Sequence, residues 1–319
     1  MKIIGRVVIL ENHSLVTESI NPNTVAIDSL GLSNILTLIN EEDHKIADAV
    51  NEVMPFIEHA VDALYEVVRH GGKVFFVGAG TSGRLGVLEA AECPPTFGVS
   101  NQLFQAVIAG GEKAIFKSVE SAEDDEFQGQ KDLELRGLTP KDAVVGIAAS
   151  GKTPYVIGAL KYANDIKART VALACNQDSK IGQIAGHKIE VVVGPEVISG
   201  STRMKAGTAT KMVLNMMTTT VMIKMGKVYQ NLMVDLNVSN SKLKDRAISI
   251  VQIATQVDEE RAAEVLKETG FDVKTAIVML TRSIDINRAK QLIEQSNGFV
   301  RKAINKSYIR DDDNQLKEG

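Results

Sequence analysis

Three short stretches of this chain gather hydroxyls, glycines and cations in patterns that could hold an anion. They are GAGTSGRLG at residues 78–86, GIAASGKT at 146–153 and SGSTRMKAGTATK at 199–211. In the first, Gly78, Gly80 and Gly83 have the G-x-G-x-x-G spacing of dinucleotide-binding turns, and Thr81 and Ser82 add hydroxyls. The second fits the nucleotide P-loop pattern G-x-x-x-x-G-K-[ST], with Ser150, Gly151, Lys152 and Thr153 at its end. The third sets Ser199, Ser201 and Thr202 beside Arg203 and Lys205.

Neither nucleotide pattern has its usual companions. A dinucleotide site wants an acidic residue ~20 positions after the glycines to hold the ribose, yet no Asp or Glu lies between Glu92 and Glu112. A P-loop wants its first glycine at the end of the strand. Gly146 instead lies inside the apolar run DAVVGIAAS, so the strand continues past it and only 150–153 is turn. Pro154 then suits the first turn of a helix, and no later strand-like run ends in an aspartate that could hold magnesium. What remains in both places is a strand, a hydroxyl-bearing turn and a helix start. Backbone N–H groups there favour an anion, and a single phosphate ester fits better than a pyrophosphate. The third loop taken alone is equally well explained by ordinary N-capping with solvated charges. Three such loops after strands of one sheet favour a polyhydroxylated, phosphorylated ligand.

Carboxylates that could do proton chemistry lie nearby in sequence. Glu89 and Glu92 fall on the helix opened by the first turn, and Pro94-Pro95 is expected to end that helix. The stretch VESAEDDEF at 119–127 carries five acidic residues. Such a run is ordinarily a solvated face, so spacing alone gives a sugar-phosphate site with possible acid/base glutamates. Cys93 could be a nucleophile but reads better as a small apolar packing residue.

The elements that must position these groups alternate. Continuous apolar runs, the mark of strands buried on both faces, occur at 73–77, 104–109, 142–149, 169–174 and 188–193. Helical periodicity occupies 42–70, 154–167 and 204–225. Strands alternating with helices predict an α/β fold with a parallel sheet flanked by helices. Ligands in such sheets bind at the C-terminal ends of strands. From 241 onward only amphipathic helices are expected, at 241–256, 258–268, 273–283 and 286–296. The expected organisation is an N-terminal extension (1–40), the sheet domain (41–240), a small helical domain (241–306) and a polar tail (307–319).

Composition narrows the class. The chain has 319 residues, 44% hydrophobic and 24% charged, with net charge −4. With no concentrated basic face, nucleic acid is not an expected partner. Two cysteines make no disulfide framework and suggest a reducing compartment. No secretory leader is read at the start. The longest apolar run, Met212–Ile223, contains Asn215 and three threonines. It falls short of the ~20 residues of a membrane span, so a buried helix and a cytoplasmic protein are expected.

Seven stretches together resemble one family. GAGTSGRLGVLEAAECPPTFGV, IAGGEKA, ESAEDD, VVGIAASGKTPYVIGAL and SGSTRMKAGTATKMVLNMM, flanked by LVTESINPNT and GFVRKAI, are similar to bacterial N-acetylmuramic acid 6-phosphate etherases. The resemblance covers nearly the whole chain and implies a sugar isomerase (SIS) fold with a small ubiquitin-associated-like (UBA-like) helical domain. It implies cleavage of a D-lactyl ether to give N-acetylglucosamine 6-phosphate and D-lactate, in cell-wall amino sugar recycling, by a homodimer without a cofactor or metal. By resemblance, Glu92 is the catalytic acid and Glu123 the base at C2. Thr81, Ser82, Gly83, Ser150, Gly151 and Thr153 hold the sugar phosphate, and Ser199, Ser201, Arg203 and Lys205 line the site. Two other readings stay open on the same fold. One is a sugar-phosphate-binding regulator, which would need neither glutamate; the other is an aldose–ketose isomerase.

Overall fold

The computed structural model describes residues 15–305 except 237, 239 and 240. The readings of residues 1–14 and of the 307–319 tail fall outside the described residues. Helices α1 (Leu32–Asp43), α2 (Lys45–Glu52) and α3 (Met54–Arg69) lead into strand β1 (Val74–Gly78) and helix α4 (Gly80–Phe97). Next come β2 (Phe104–Ile108), α5 (Lys113–Phe116), α6 (Glu126–Leu135), β3 (Ala143–Ile147) and α7 (Pro154–Asp165). Then follow β4 (Arg169–Ala174), α8 (Lys180–Ile184), β5 (His187–Glu190) and α9 (Lys205–Lys224). A two-residue hairpin, β6 (Val228–Tyr229) and β7 (Leu232–Met233), precedes α10 (Ser241–Thr255), α11 (Glu259–Glu268), α12 (Val273–Arg282), α13 (Ile286–Gln295) and α14 (Val300–Ile304).

Each of the five expected runs contains or overlaps a strand, the last only at 188–190, and the five strands are parallel in the order β2-β1-β3-β4-β5. Every residue of β1 and β3 is buried, as a sheet covered on both faces requires. From β1 the chain crosses to β2 on one side and then returns to β3 on the other. A crevice therefore opens at the C-terminal ends of β1 and β3, where the two crossovers diverge. The first two hydroxyl turns follow these two strands.

The chain forms two compact units. One holds the sheet and comprises the residues up to Ala90 together with Phe104–Met217; the other comprises Ala91–Leu103 together with the chain from Thr218 onward. Helices α4 and α9 each pass from one unit into the other. The second unit has its own core, including Val251, Leu266, Ile277 and Leu292. Three of its helices start on aspartate caps: Asp258 accepts the Arg261 N–H, Asp272 that of Thr275, and Asp285 those of Asn287 and Arg288. Such caps are each worth about 1 kcal/mol and explain why the helix starts here were readable from sequence.

Two expectations need correction. The single helical stretch at 42–70 is three helices that break at His44 and Val53. Pro55 sits in the first turn of α3, where its missing N–H costs nothing, and α1 begins at Leu32, ahead of the expected stretch. Pro94 and Pro95 do not end α4, which runs to Phe97. The Thr96 hydroxyl donates to the Glu92 carbonyl and the Gly98 N–H to that of Pro94. The chain thus keeps helical hydrogen bonds on the far side of the prolines, and Gly98, at φ 60°, ends the helix. Residues 15–29, inside the expected N-terminal extension, are tied down by hydrogen bonds. Asn21 donates to the Pro195 carbonyl at 3.2 Å, Thr24 to that of Val197 at 2.8 Å, and Asn176 to the Thr17 hydroxyl at 3.0 Å.

Helices α6 and α7 meet backbone to backbone. A Cβ on Gly129 would lie 1.9 Å from the Tyr155 carbonyl oxygen, and one on Gly158 would lie 1.8 Å from that of Glu126. The buried Tyr155 hydroxyl donates to Asp132 at 2.6 Å. Burial and the Asp132 carboxylate both push the phenol pKa up. The contact ties the acidic turn that precedes α6 to the hydroxyl turn that opens α7.

Candidate functional site

The β1–α4 turn is a close approach of helix to strand. Gly80 takes φ 51°, and a Cβ on Gly83 would lie 2.6 Å from Ile108 Cγ1 and 2.7 Å from the Gly78 carbonyl oxygen. Glycine here lets the first turn of α4 rest on the end of β1, so Thr81 and Ser82 project into the crevice. The β3–α7 turn is built otherwise. Gly146 lies inside β3, where a Cβ would meet Leu160 and Val156 side chains of α7 at 2.8 Å. It is a packing glycine and not the first residue of a phosphate loop. Thr153 is the N-cap of α7 and Pro154 its first residue.

These two turns, the acidic turn and the third loop surround one cavity of about 550 Å3. Thr81 and Ser82 come from the first turn, Ser150, Lys152 and Thr153 from the second, Glu123 and Asp124 from the acidic turn, and Gly200 and Thr202 from the third. Two helix N-termini and five side-chain hydroxyls thus face one space, an arrangement suited to a phosphate on a polyhydroxylated body. Glu123 is held on a 3-10 turn, Glu120–Asp124, whose Ala122 packs on the core. The following Asp125 caps α6 through the Gln128 N–H. Glu18 also lines the cavity and was missed in sequence. The stretch containing it, LVTESINPNT, carries no local signal for this; its polar residues Thr17, Asn21 and Thr24 are buried only through distant contacts.

Other sequence-derived residues lie elsewhere. Gly83 and Gly151 serve the backbone beneath the cavity; Gly151 has φ 71° and would set a Cβ 2.3 Å from Ser179 Cβ. The Ser199 hydroxyl donates to the Glu18 carbonyl at 3.1 Å, Ser201 is half-buried outside the lining, and Arg203 is exposed. Lys205 is turned inward and is 1% exposed. Its ammonium binds Glu42 Oε2 at 2.7 Å, while its own N–H and that of Ala206 donate to the buried Glu196. Lys205 therefore anchors the start of α9 rather than lining the cavity. Burial alone would raise the Glu42 pKa, but hydrogen bonds from Lys205, Lys45, Asn23 and Asn21 outweigh it and bring the value to about 2. Burial holds Glu196 above the usual carboxylate range despite its two N–H donors.

Glu92 is exposed, on the part of α4 that belongs to the second compact unit. Glu89 is buried and paired with Lys211 at 2.6 Å. Neither cysteine is set up as a nucleophile: Cys93 is buried, and burial pushes the Cys175 thiol up to about 12. Among the described residues there is no cluster of His, Cys, Asp and Glu able to hold a metal ion, and no helix long and apolar enough to cross a membrane.

Comparisons with known proteins follow the same lines. Residues 116–220 match the family described as "SIS domain", residues 56–164 "Glucokinase regulatory protein N-terminal SIS domain", and residues 230–275 "C-terminal lid domain of glucokinase regulatory protein". A Bacillus pumilus protein named N-acetylmuramic acid 6-phosphate etherase is 54% identical over 92% of this chain and 96% of its own length. Namesakes from Bacillus subtilis (53%, covering 92% of this chain and 97% of the relative) and Yersinia pestis (51%, covering 91% and 99%) are similarly close. By this similarity over nearly its full length, the chain belongs to the N-acetylmuramic acid 6-phosphate etherase family.

Proposed function

We propose that this protein is a carbon–oxygen lyase that removes the D-lactyl ether from N-acetylmuramic acid 6-phosphate, giving N-acetylglucosamine 6-phosphate and D-lactate. The observation that carries the reading is identity above one half, end to end, with proteins bearing that name. The cavity supports it, because hydroxyls and helix N-termini face a carboxylate across a space sized for a sugar phosphate.

The chemistry asks for two groups. Ring opening exposes the C1 aldehyde and acidifies the C2 proton. Glu123 takes that proton, the C3–oxygen bond breaks, and its electron pair leaves with lactate as a proton reaches the ether oxygen from Glu92, a role carried by the family resemblance because Glu92 is not among the residues lining the cavity. Water then adds to the C2=C3 bond, placing hydroxyl on C3 and returning a proton to C2. Thr81, Ser82, Ser150 and Thr153 hold the phosphate and sugar hydroxyls. Acid and base of this kind each contribute about 10²–10⁴-fold. No cofactor is required by this route, and the setting we infer is cytoplasmic cell-wall sugar recycling by a homodimer.

Purified protein with N-acetylmuramic acid 6-phosphate, without added metal or nucleotide, should release D-lactate. Glu123→Gln should abolish exchange of the C2 proton with solvent deuterium, whereas Glu92→Gln should stop lactate loss and leave some exchange. Normal exchange in the first variant would overturn the assignment of the base. Binding without any lactate release would favour the second reading, a sugar-phosphate-responsive regulator, to which the two glucokinase regulatory protein matches point.

A further inference from the structure

A smaller recess of about 180 Å3 adjoins the main cavity. The two share Ala79, Gly80 and Glu123, so Glu123 stands on the boundary between them. Part of the recess wall is apolar, formed by Ala109, Ala114 and Val119. Its polar lining is Arg84, Ser118 and, on the boundary, Glu123. Arg84 is held in place because its Nε donates to the Ile115 carbonyl at 2.9 Å. The outer guanidinium nitrogens make no hydrogen bond or ion pair with any described residue. Arg84 is the one cation among the residues that line the recess.

This deepens the proposed function and rests on it. A substrate of that reading carries two anions, a phosphate on C6 and a carboxylate on the lactyl group at C3. The hydroxyl turns are assigned to the phosphate and the sugar hydroxyls, which leaves the carboxylate to be held elsewhere. The lactyl group is a methyl and a carboxylate on a single carbon, and C3 is bonded to the carbon from which Glu123 would take a proton. A recess that begins at Glu123, with an apolar wall and a guanidinium whose outer nitrogens are open, has the chemistry of that group. A planar guanidinium fork suits a carboxylate.

We infer that the recess lined by Arg84, Ser118, Ala109, Ala114 and Val119 is the subsite for the lactyl group, with Arg84 binding its carboxylate. Arg84 then sets specificity for the lactyl-bearing sugar and holds the leaving group as the C3–oxygen bond breaks.

The test compares N-acetylmuramic acid 6-phosphate with N-acetylglucosamine 6-phosphate, which differ by the lactyl group alone. Affinities are read as KM and product-inhibition constants, or as Kd where no turnover occurs. Arg84→Gln should lower the preference for the lactyl-bearing sugar on the order of tenfold or more while leaving affinity for N-acetylglucosamine 6-phosphate unchanged. Arg84→Lys, which keeps a cation, should recover part of the preference. Equal weakening for both sugars would mean a structural role and overturn the subsite, as would no change for either. Should Arg84→Gln fail to fold, Ser118→Asp decides: a carboxylate on the recess wall should repel the lactyl carboxylate, and an intact preference would overturn the proposal. If the wild type prefers the lactyl sugar yet releases no D-lactate, the etherase activity falls and the subsite stands. If it shows no preference, the subsite falls.

Discussion

Two four-residue loops of this protein are nearly the same in sequence and do different work. Ser150-Gly151-Lys152-Thr153 and Ser199-Gly200-Ser201-Thr202 each place a glycine at positive φ, 71° and 75°. In the first loop Ser150, Lys152 and Thr153 line the cavity, and the loop opens directly into α7. In the second, Ser199 is turned to the backbone of Glu18. The lysine that follows it, Lys205, is drawn into the interior by Glu42. Both loops reach the cavity, the second through Gly200 and Thr202, but the cation that follows the second is claimed by a buried carboxylate. Glu42, which claims it, is distant in sequence.

The largest effect expected from breaking this difference is at Glu42. Glu42→Gln removes the carboxylate that the buried Lys205 ammonium contacts, and the loss of stability should be about 3–5 kcal/mol at neutral pH. The pH dependence follows from the pKa of about 2, below the ordinary 4.5. The stabilisation is fully present above the ordinary value and is lost as pH falls from about 4.5 toward about 2. Denaturant melts of wild type and variant should therefore differ fully above about pH 5 and converge in acid. A gap that persists at pH 2 would show that the pair is not its source.

The two glycines come next. Alanine at either is strained by positive φ, by roughly 1 kcal/mol. At Gly151 its Cβ would also overlap Ser179 Cβ, whereas at Gly200 the nearest neighbour is Glu18 Oε2 at 3.3 Å. Gly151→Ala should therefore cost about 2–3 kcal/mol more than Gly200→Ala, measured as a difference in denaturant midpoint. Equal losses would mean that the loops are equally adaptable.

The smallest effect is at Lys152, which is exposed at the cavity. Lys152→Ala should leave stability within about 0.5 kcal/mol and weaken sugar-phosphate binding by only a few-fold. Abolished binding would restore a phosphate-clamping role of the nucleotide kind.

The central strands were readable because each is a continuous apolar run buried on both faces, and the two hydroxyl turns because glycine and hydroxyl spacing reports local backbone geometry; the edge strand β5, HKIE, has only Ile189 buried and overlaps the expected run only at 188–190. What escaped was set by distant contacts. Lys205 looks like a solvated or ligand-binding cation until Glu42 and Glu196 are placed beside it. Glu18 enters the cavity wall because Thr17, Asn21 and Thr24 tie its segment to Asn176 and the 195–197 stretch. Helix α1 gave little periodic signal because Leu32 and Leu36 stand exposed at 75% and 60%. Pro94-Pro95 reads as a stop because propensity is local, while the helix in the fold runs on to Phe97.

The division of α4 between two compact units has a consequence for how the chain is made. Ala91–Leu103 belongs with a unit whose remainder begins at Thr218, and the Gly98 backbone packs against the carbonyl of Asp235. On a ribosome the first piece emerges long before the second. At about 5–20 residues per second, it must wait on the order of ten seconds with Cys93 and Phe97, both buried in the finished protein, still uncovered. The sheet unit can close around that interval, and the helical unit cannot begin to until the sheet has been fully synthesised.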